Sequence, residues 1–175
     1  MLRLSVRAGR PAMWYVRGGF TLVEVLLASA ILATTAVAVT NAIMAGQMLT
    51  YEALHNHQAT ALAEALTEEI LALPYNDPDG DVIAGPDAGE SGRSDFDAAD
   101  DFHGFSEAAA ALADAQGTLL PDAHQLFSRS ATAVYESRTV TGFSAAIPGL
   151  TIQVTVQDQR GTTWTLTRFI TEPPP

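Results

Sequence analysis

Cysteine is absent from the 175 residues, and so is lysine. The first absence excludes disulfides, thiolate metal sites and thiol nucleophiles. The second leaves nine arginines as the only strong bases, against 20 acidic residues and a net charge of −11. Base is also missing from most of the chain. Arg3, Arg7, Arg10 and Arg17 precede Phe20, where there is no acid; beyond it 20 acids face 5 arginines, a formal −15. Phosphate contacts need clustered Lys or Arg, so this acidic body argues against a nucleic-acid partner. It suits an exported, soluble head or one that holds cations. Residues 20–73 contain no proline, and Gly46 is their only glycine. A phosphate loop and a nucleophile motif are lacking too, and Ser128 and Ser130 have no recognisable hydrolase context. The sequence points to no enzyme.

What is present is a long apolar run. It extends from Phe20 to about Ala45, roughly 26 residues where a bilayer span needs about 20. The arginines on its N-terminal side predict that this end stays cytoplasmic. Three readings compete: an uncleaved anchor, a signal peptide cut after Ala30 (Ala28-Ser29-Ala30 has the small-x-small form), and one that explains Glu24. A carboxylate inside a membrane helix costs about 2.5–3.5 kcal/mol on insertion scales, so it usually has a partner and a function. A signal-peptide cut would also discard the front of a run that continues well past Ala30.

The stretch Arg17-Gly18-Gly19-Phe20-Thr21-Leu22-Val23-Glu24-Val25-Leu26-Leu27 resembles the signature of the type IV prepilin and pseudopilin family. There, a basic leader ends in Gly, a hydrophobic residue opens the mature chain, and an acid follows four residues later. The resemblance implies cutting between Gly19 and Phe20 by prepilin peptidase and methylation of the new amine on Phe20. That amine would lie one helical turn from Glu24. The two can pair within a chain or between neighbouring chains, and the second pairing favours a one-subunit stagger. Removing the four arginines would let the helix leave the bilayer for a filament. The resemblance also implies other pilin or pseudopilin subunits and inner-membrane assembly machinery as partners. It places the chain in the inner membrane as a single span with an exported head.

Beyond the apolar run, Leu62, Leu66, Ile70 and Leu73 recur at three- and four-residue spacing with Ala61 and Ala65 beside them, and Pro74 follows. This predicts an amphipathic helix that packs on a sheet. A single helix over about 20–73 would be roughly 80 Å long at 1.5 Å per residue.

Residues 75–105 are rich in Asp, Gly and Pro and read as loop. Asn76-Asp77-Pro78-Asp79-Gly80-Asp81 alternates acids like the start of an EF-hand. Counted from Asp77, however, positions six and twelve are Val82 and Ala88 rather than Gly and Glu. The stretch Phe96-Asp97-Ala98-Ala99-Asp100-Asp101-Phe102-His103-Gly104-Phe105 resembles one found in some minor pilins, including those of mannose-sensitive haemagglutinin pili. Calcium ligands, if any, would come from Asp77, Asp79, Asp81, Asp97, Asp100 and Asp101; otherwise these acids are turn formers and caps. Phe96, Phe102 and Phe105 are expected to pin the loop to the head in either case.

Residues 106–116 read as a short helix capped by Ser106. Leu150, Ile152, Val154 and Val156 alternate with Thr151, Gln153, Thr155 and Gln157, a half-buried strand. Asp158-Gln159-Arg160-Gly161 reads as a hairpin turn, Thr162–Thr171 as the returning strand, and Ala131–Thr141 as a third. His55 and His57, about 200° apart on a helix, face no common ligand and read as exposed. His103 reads as a loop-stabilising hydrogen-bond donor.

The expected fold is α+β: a long N-terminal helix on a small antiparallel sheet, pilin-like. Its parts are a basic leader (1–19), a membrane and assembly half-helix (20–45), an amphipathic half-helix (46–73), an acidic loop (74–105), a head with the sheet (106–172) and a tail (173–175). The expected function is that of a filament subunit, a minor pilin or pseudopilin of a type IV pilus or type II secretion system. The alternative is a secreted or anchored calcium-binding or adhesive module built on the acidic loop.

Overall fold

A computed structural model describes residues 18–78, 83–142 and 145–174. One helix, α1, runs Leu22–Leu71. Four antiparallel strands follow in the order β1-β2-β3-β4: β1 Ser106–Glu107, β2 Phe127–Arg138, β3 Ile147–Asp158 and β4 Thr163–Thr171. This is the expected α+β layout. The chain divides into two compact units, one ending at Met48 and the other beginning at Leu49.

In the first unit, α1 carries apolar side chains all round, and they are exposed. This part is long and apolar enough to cross a membrane. Its hydroxyls do not interrupt the helix, because Ser29, Thr34, Thr35 and Thr40 each return a hydrogen bond to a carbonyl three or four residues back.

In the second unit, α1 lays one face on the sheet. The buried positions are Ala59, Leu62, Ala63, Leu66, Thr67 and Ile70. The expected leucine stripe is there, but its small flank is Ala59 and Ala63; Ala61 and Ala65 are exposed. Thr67 is tolerated on this buried face because its hydroxyl bonds the Ala63 carbonyl at 2.7 Å. The sheet answers with Phe127, Ala131, Ala133, Leu150, Ile152, Val154 and Val156. Each large apolar side chain buried here contributes about 1.5–3 kcal/mol. The helix ends where Leu73 N–H closes on the Ile70 carbonyl and Pro74 follows.

The region 106–116 is not a helix. Ser106 and Glu107 pair with Ser130 and Arg129 as β1, and Ala110 takes φ +67°. The Gln125 side chain receives the Leu112 N–H and donates to the Leu112 and Leu120 carbonyls. Helix propensity in the alanine run is overridden by these pairings and by the ion pairs of Glu107. The strand expected over Ala131–Thr141 is β2, which starts earlier, at Phe127, and ends earlier, at Arg138. The turn at Asp158–Gly161 is present, with Asp158 Oδ1 accepting the N–H groups of Arg160 and Thr162.

Candidate functional site: the processing segment and the acidic loop

The acidic loop folds back under its own aromatic cluster. Phe96, Phe102 and Phe105 meet edge to face, with centroids 5.0–6.3 Å apart. A 3₁₀ turn, Ala99–Phe102, holds two adjacent acids that do different work. Asp101 Oδ2 accepts the N–H of Asp97 at 3.0 Å and of Ala98 at 2.7 Å, so it caps the turn. Asp100 Oδ2 accepts the Tyr135 hydroxyl at 2.9 Å, while its Oδ1 is buried with no partner. Burial pushes the Asp100 carboxyl up; the Tyr135 bond offsets part of that, and Asp101 and Asp77 add to it. The same burial and the Asp100 charge push the Tyr135 phenol up.

Of the six acids expected as calcium ligands, Asp79 and Asp81 lie outside the described residues. Asp97 and Asp101 come together with Glu90, one oxygen from each within 4.8 Å of the others. Asp77 and Asp100 are not in that group. Glu90, which sequence reasoning did not single out, also accepts the Asp87 N–H. The group is all oxygen, the donor set of a hard cation, although one oxygen of Asp101 already serves two backbone donors.

At the other end of the chain, Gly18, Gly19 and Phe20 precede the helix in extended or irregular backbone and are exposed, Phe20 by 79%. Space around both glycines is open. Thr21 starts the helix: its Oγ1 accepts the Glu24 N–H at 3.2 Å, and its carbonyl accepts the Val25 N–H. Thr21-x-x-Glu24 is the spacing of a capping box, a signal legible in the sequence. Glu24 thus sits in the first turn of α1, where the helix dipole favours a negative charge. Everything after it for more than twenty residues is apolar or a self-satisfied hydroxyl, apart from Asn41.

Compared with known families, residues 15–40 match the model of the prokaryotic N-terminal methylation motif. This segment supports a type IV pilin-like precursor. No curated protein and no solved structure matches it. The resemblance of residues 96–105 to minor pilins of mannose-sensitive haemagglutinin pili thus gains no support from these comparisons.

The family is structural rather than catalytic. In the head, several titratable groups tie elements of the fold together. His103 Nδ1 lies 2.6 Å from the Ala133 carbonyl and holds the loop to β2. His57 is exposed as expected, but His55 is not. His55 Nε2 meets Asp158 Oδ2 at 3.1 Å, with only 14% and 4% of the two side chains exposed. The imidazole lies among Tyr51, Phe127 and Trp164. Burial raises the Asp158 carboxyl, but Thr162 N–H, His55 and Arg160 N–H outweigh it and hold the group below the usual range. Helical phase alone placed His55 at the surface. The partner 103 residues away gave no local sign.

Arg93 and Arg129 form the second tie. Arg93 makes a two-pronged contact with Glu69 on α1, reaches Glu107 at 3.1 Å and donates to the Ala113 carbonyl at 2.9 Å. Arg129, almost wholly buried on β2, bonds the same Glu107 and the Ala113 carbonyl. Two arginines and two glutamates balance, so the burial of these charges is compensated.

Proposed function

We propose that this pilin-like precursor is a minor pilin or pseudopilin of a type IV pilus-like or type II secretion filament, cut between Gly19 and Phe20. The observation that carries the reading is the start of α1. An exposed, non-helical Gly-Gly-Phe precedes a capped helix whose first turn holds the single acid of a long apolar segment. A peptidase needs backbone that is not locked in a helix, and Gly18–Phe20 lie outside α1. Cutting there makes an amine at Phe20 close to Glu24. Methylation would leave that amine cationic, and its pairing with Glu24 of a neighbour offsets the cost of a carboxylate in the membrane. In this reading the chain spans the inner membrane once, N-terminus in the cytoplasm and head exported. Its partners are prepilin peptidase, other subunits and the assembly machinery, with no nucleic-acid contact.

Intact mass and N-terminal sequencing of the protein from native membranes test this. The expected chain begins at methylated Phe20. A chain beginning at Ile31 would make it a secreted protein, and an uncut leader would remove the filament reading's main support.

A second reading, a calcium-dependent or adhesive module, draws on Glu90, Asp97 and Asp101. In it Ca2+ binds these carboxylates and cross-links the loop to its 3₁₀ turn. Thermal unfolding during a calcium titration checks it: a rising midpoint is expected, and a flat one rejects the ion.

A further inference from the structure

A cavity opens beside the tie between α1 and the β3–β4 turn. Asp158 is fully engaged there: its Oδ1 accepts the N–H groups of Arg160 and Thr162, and its Oδ2 meets His55. The turn is thereby pinned against α1, and the Arg160 guanidinium is carried over the ring of Tyr51, 5.8 Å from its centroid. His55 and Asp158 line the cavity together with Tyr51, Glu52, Arg160 and Trp164. Its volume is about 270 Å³, room for about nine waters.

Two opposite charges on its wall have no partner. Only 5 arginines face the 20 acids beyond Phe20. Arg93, Arg129 and Arg138 each pair with a glutamate. The Arg160 guanidinium makes no hydrogen bond and no ion pair among the described residues, and Glu52 has no ion pair among them either. Both residues are exposed, and they do not pair with each other. A simple anion in this cavity would answer Arg160 but meet Glu52, and a simple cation would do the reverse. A ligand that carries both signs on one short chain answers both.

Position along the helix identifies the source of such a ligand. α1 is one helix from Leu22 to Leu71. A bilayer with its headgroups is about 45 Å thick, which takes about 30 residues at 1.5 Å each. Counted from Phe20, that length ends at about residue 50, next to Tyr51. Met48, Leu49, Tyr51 and Leu54 are exposed on this part of α1, and Trp164 on β4 is half-buried beside them. Tyr and Trp concentrate at the headgroup level of membranes, where the ring and its polar tip are both satisfied.

We infer that the cavity at Tyr51, Glu52 and Arg160 binds the zwitterionic headgroup of a membrane phospholipid, of the phosphoethanolamine type. Arg160 donates to the phosphate, and Glu52 accepts from the ammonium. An anionic headgroup brings the phosphate but no cation for Glu52, and the acidic head repels it. This rests on the single-span reading above and gives the head its own hold on the membrane surface.

The test uses the full-length chain with Trp14→Phe, which leaves Trp164 as its single indole. It is reconstituted into phosphatidylglycerol vesicles with increasing phosphatidylethanolamine and a tracer lipid that carries a nitroxide on its headgroup. Quenching of Trp164 is expected to rise with the phosphatidylethanolamine fraction. Arg160→Glu should raise the fraction needed for half the effect about fivefold. Arg160→Lys should keep most of the response, and Glu52→Gln should abolish the preference for phosphatidylethanolamine. Circular dichroism shows that each variant is folded. Equal quenching in phosphatidylglycerol alone would overturn recognition of the zwitterion. Soluble glycerophosphoethanolamine that binds the detergent-solubilised protein, with no quenching in vesicles, would overturn the lipid as its source. A second chain, Leu32→Trp with Trp14→Phe and Trp164→Phe, is read with a nitroxide deep in the acyl chains. Quenching there without quenching of Trp164 removes the headgroup site and leaves the membrane span standing. No quenching at either position removes both.

Discussion

Gly149 sits where β3 passes under the ring of Phe169, and replacing it with alanine should be among the most damaging small changes in the head. A Cβ at this position would lie 2.2 Å from the Ile170 carbonyl oxygen and 2.6 Å from Cζ of Phe169. Ordinary contact begins near 3.4 Å, so the overlap with the carbonyl is about 1.2 Å. The ring can swing away, but the carbonyl cannot, because it belongs to β4 and β4 is paired to β3 through Leu150–Ile170 and Gly149–Thr171. Overpacking of this kind costs about 1–3 kcal/mol. Breaking one ladder hydrogen bond to relieve it adds about 1 kcal/mol. The total, roughly 2–4 kcal/mol, corresponds to a fall in Tm of roughly 8–16 °C for a head of this size. Thermal unfolding of the detergent-solubilised protein, followed by Trp164 fluorescence, measures it. The backbone origin gives a second, sharper expectation: Gly149→Ala should not be rescued by Phe169→Ala in the same chain. A loss below about 1 kcal/mol, or full rescue by the double variant, would refute the reasoning; the second result would make the ring the obstacle.

Asp100→Asn should stabilise the head at neutral pH by about 1 kcal/mol, since it removes a buried charge whose Oδ1 has no partner and keeps an acceptor for Tyr135. The folded-state carboxyl titrates above its unfolded value of 3.8, so the penalty appears as pH rises through the folded pKa. The gain from Asn should therefore vanish below pH 3.8, and denaturant melts at several pH values check this. Arg93→Met should cost about 3 kcal/mol, because it strands Glu69 and part of Glu107 without their cation. Arg93→Lys should recover little of it, since an ammonium cannot reproduce the two-pronged contact; urea melts of the three proteins decide.

Sequence pattern revealed the elements whose signal is local. Alternation over Leu150–Gln157 gave β3, the Asp-Gln-Arg-Gly step gave its turn, and the leucine spacing before Pro74 gave the end of α1. The prepilin-like start was legible because its glycine, phenylalanine and glutamate all fall within the short stretch Gly19–Glu24. What escaped depends on distant partners. Ser106-Glu107 reads as a helix start until Arg93 and Arg129 are seen to claim Glu107 and β2 to claim the backbone. His55 reads as solvent-facing until Asp158 arrives from the far end of the sheet. Arg93 lies in a stretch that composition marks only as loop, yet it ties that loop to α1 and β1. In the acidic loop, residue type alone did not separate the capping role of Asp101 from the buried bond of Asp100, although the two are neighbours in sequence.

The Thr21 cap bears on the order of events in biogenesis. If the cut falls between Gly19 and Phe20, it falls outside the capped helix, and the hydroxyl that starts the helix stays with the product. The subunit then needs no refolding between maturation and use. The precursor can be held in the membrane as a finished part, with hydrolysis of one bond as the release. A stock of such parts would let the rate of filament growth be set by the peptidase and not by synthesis.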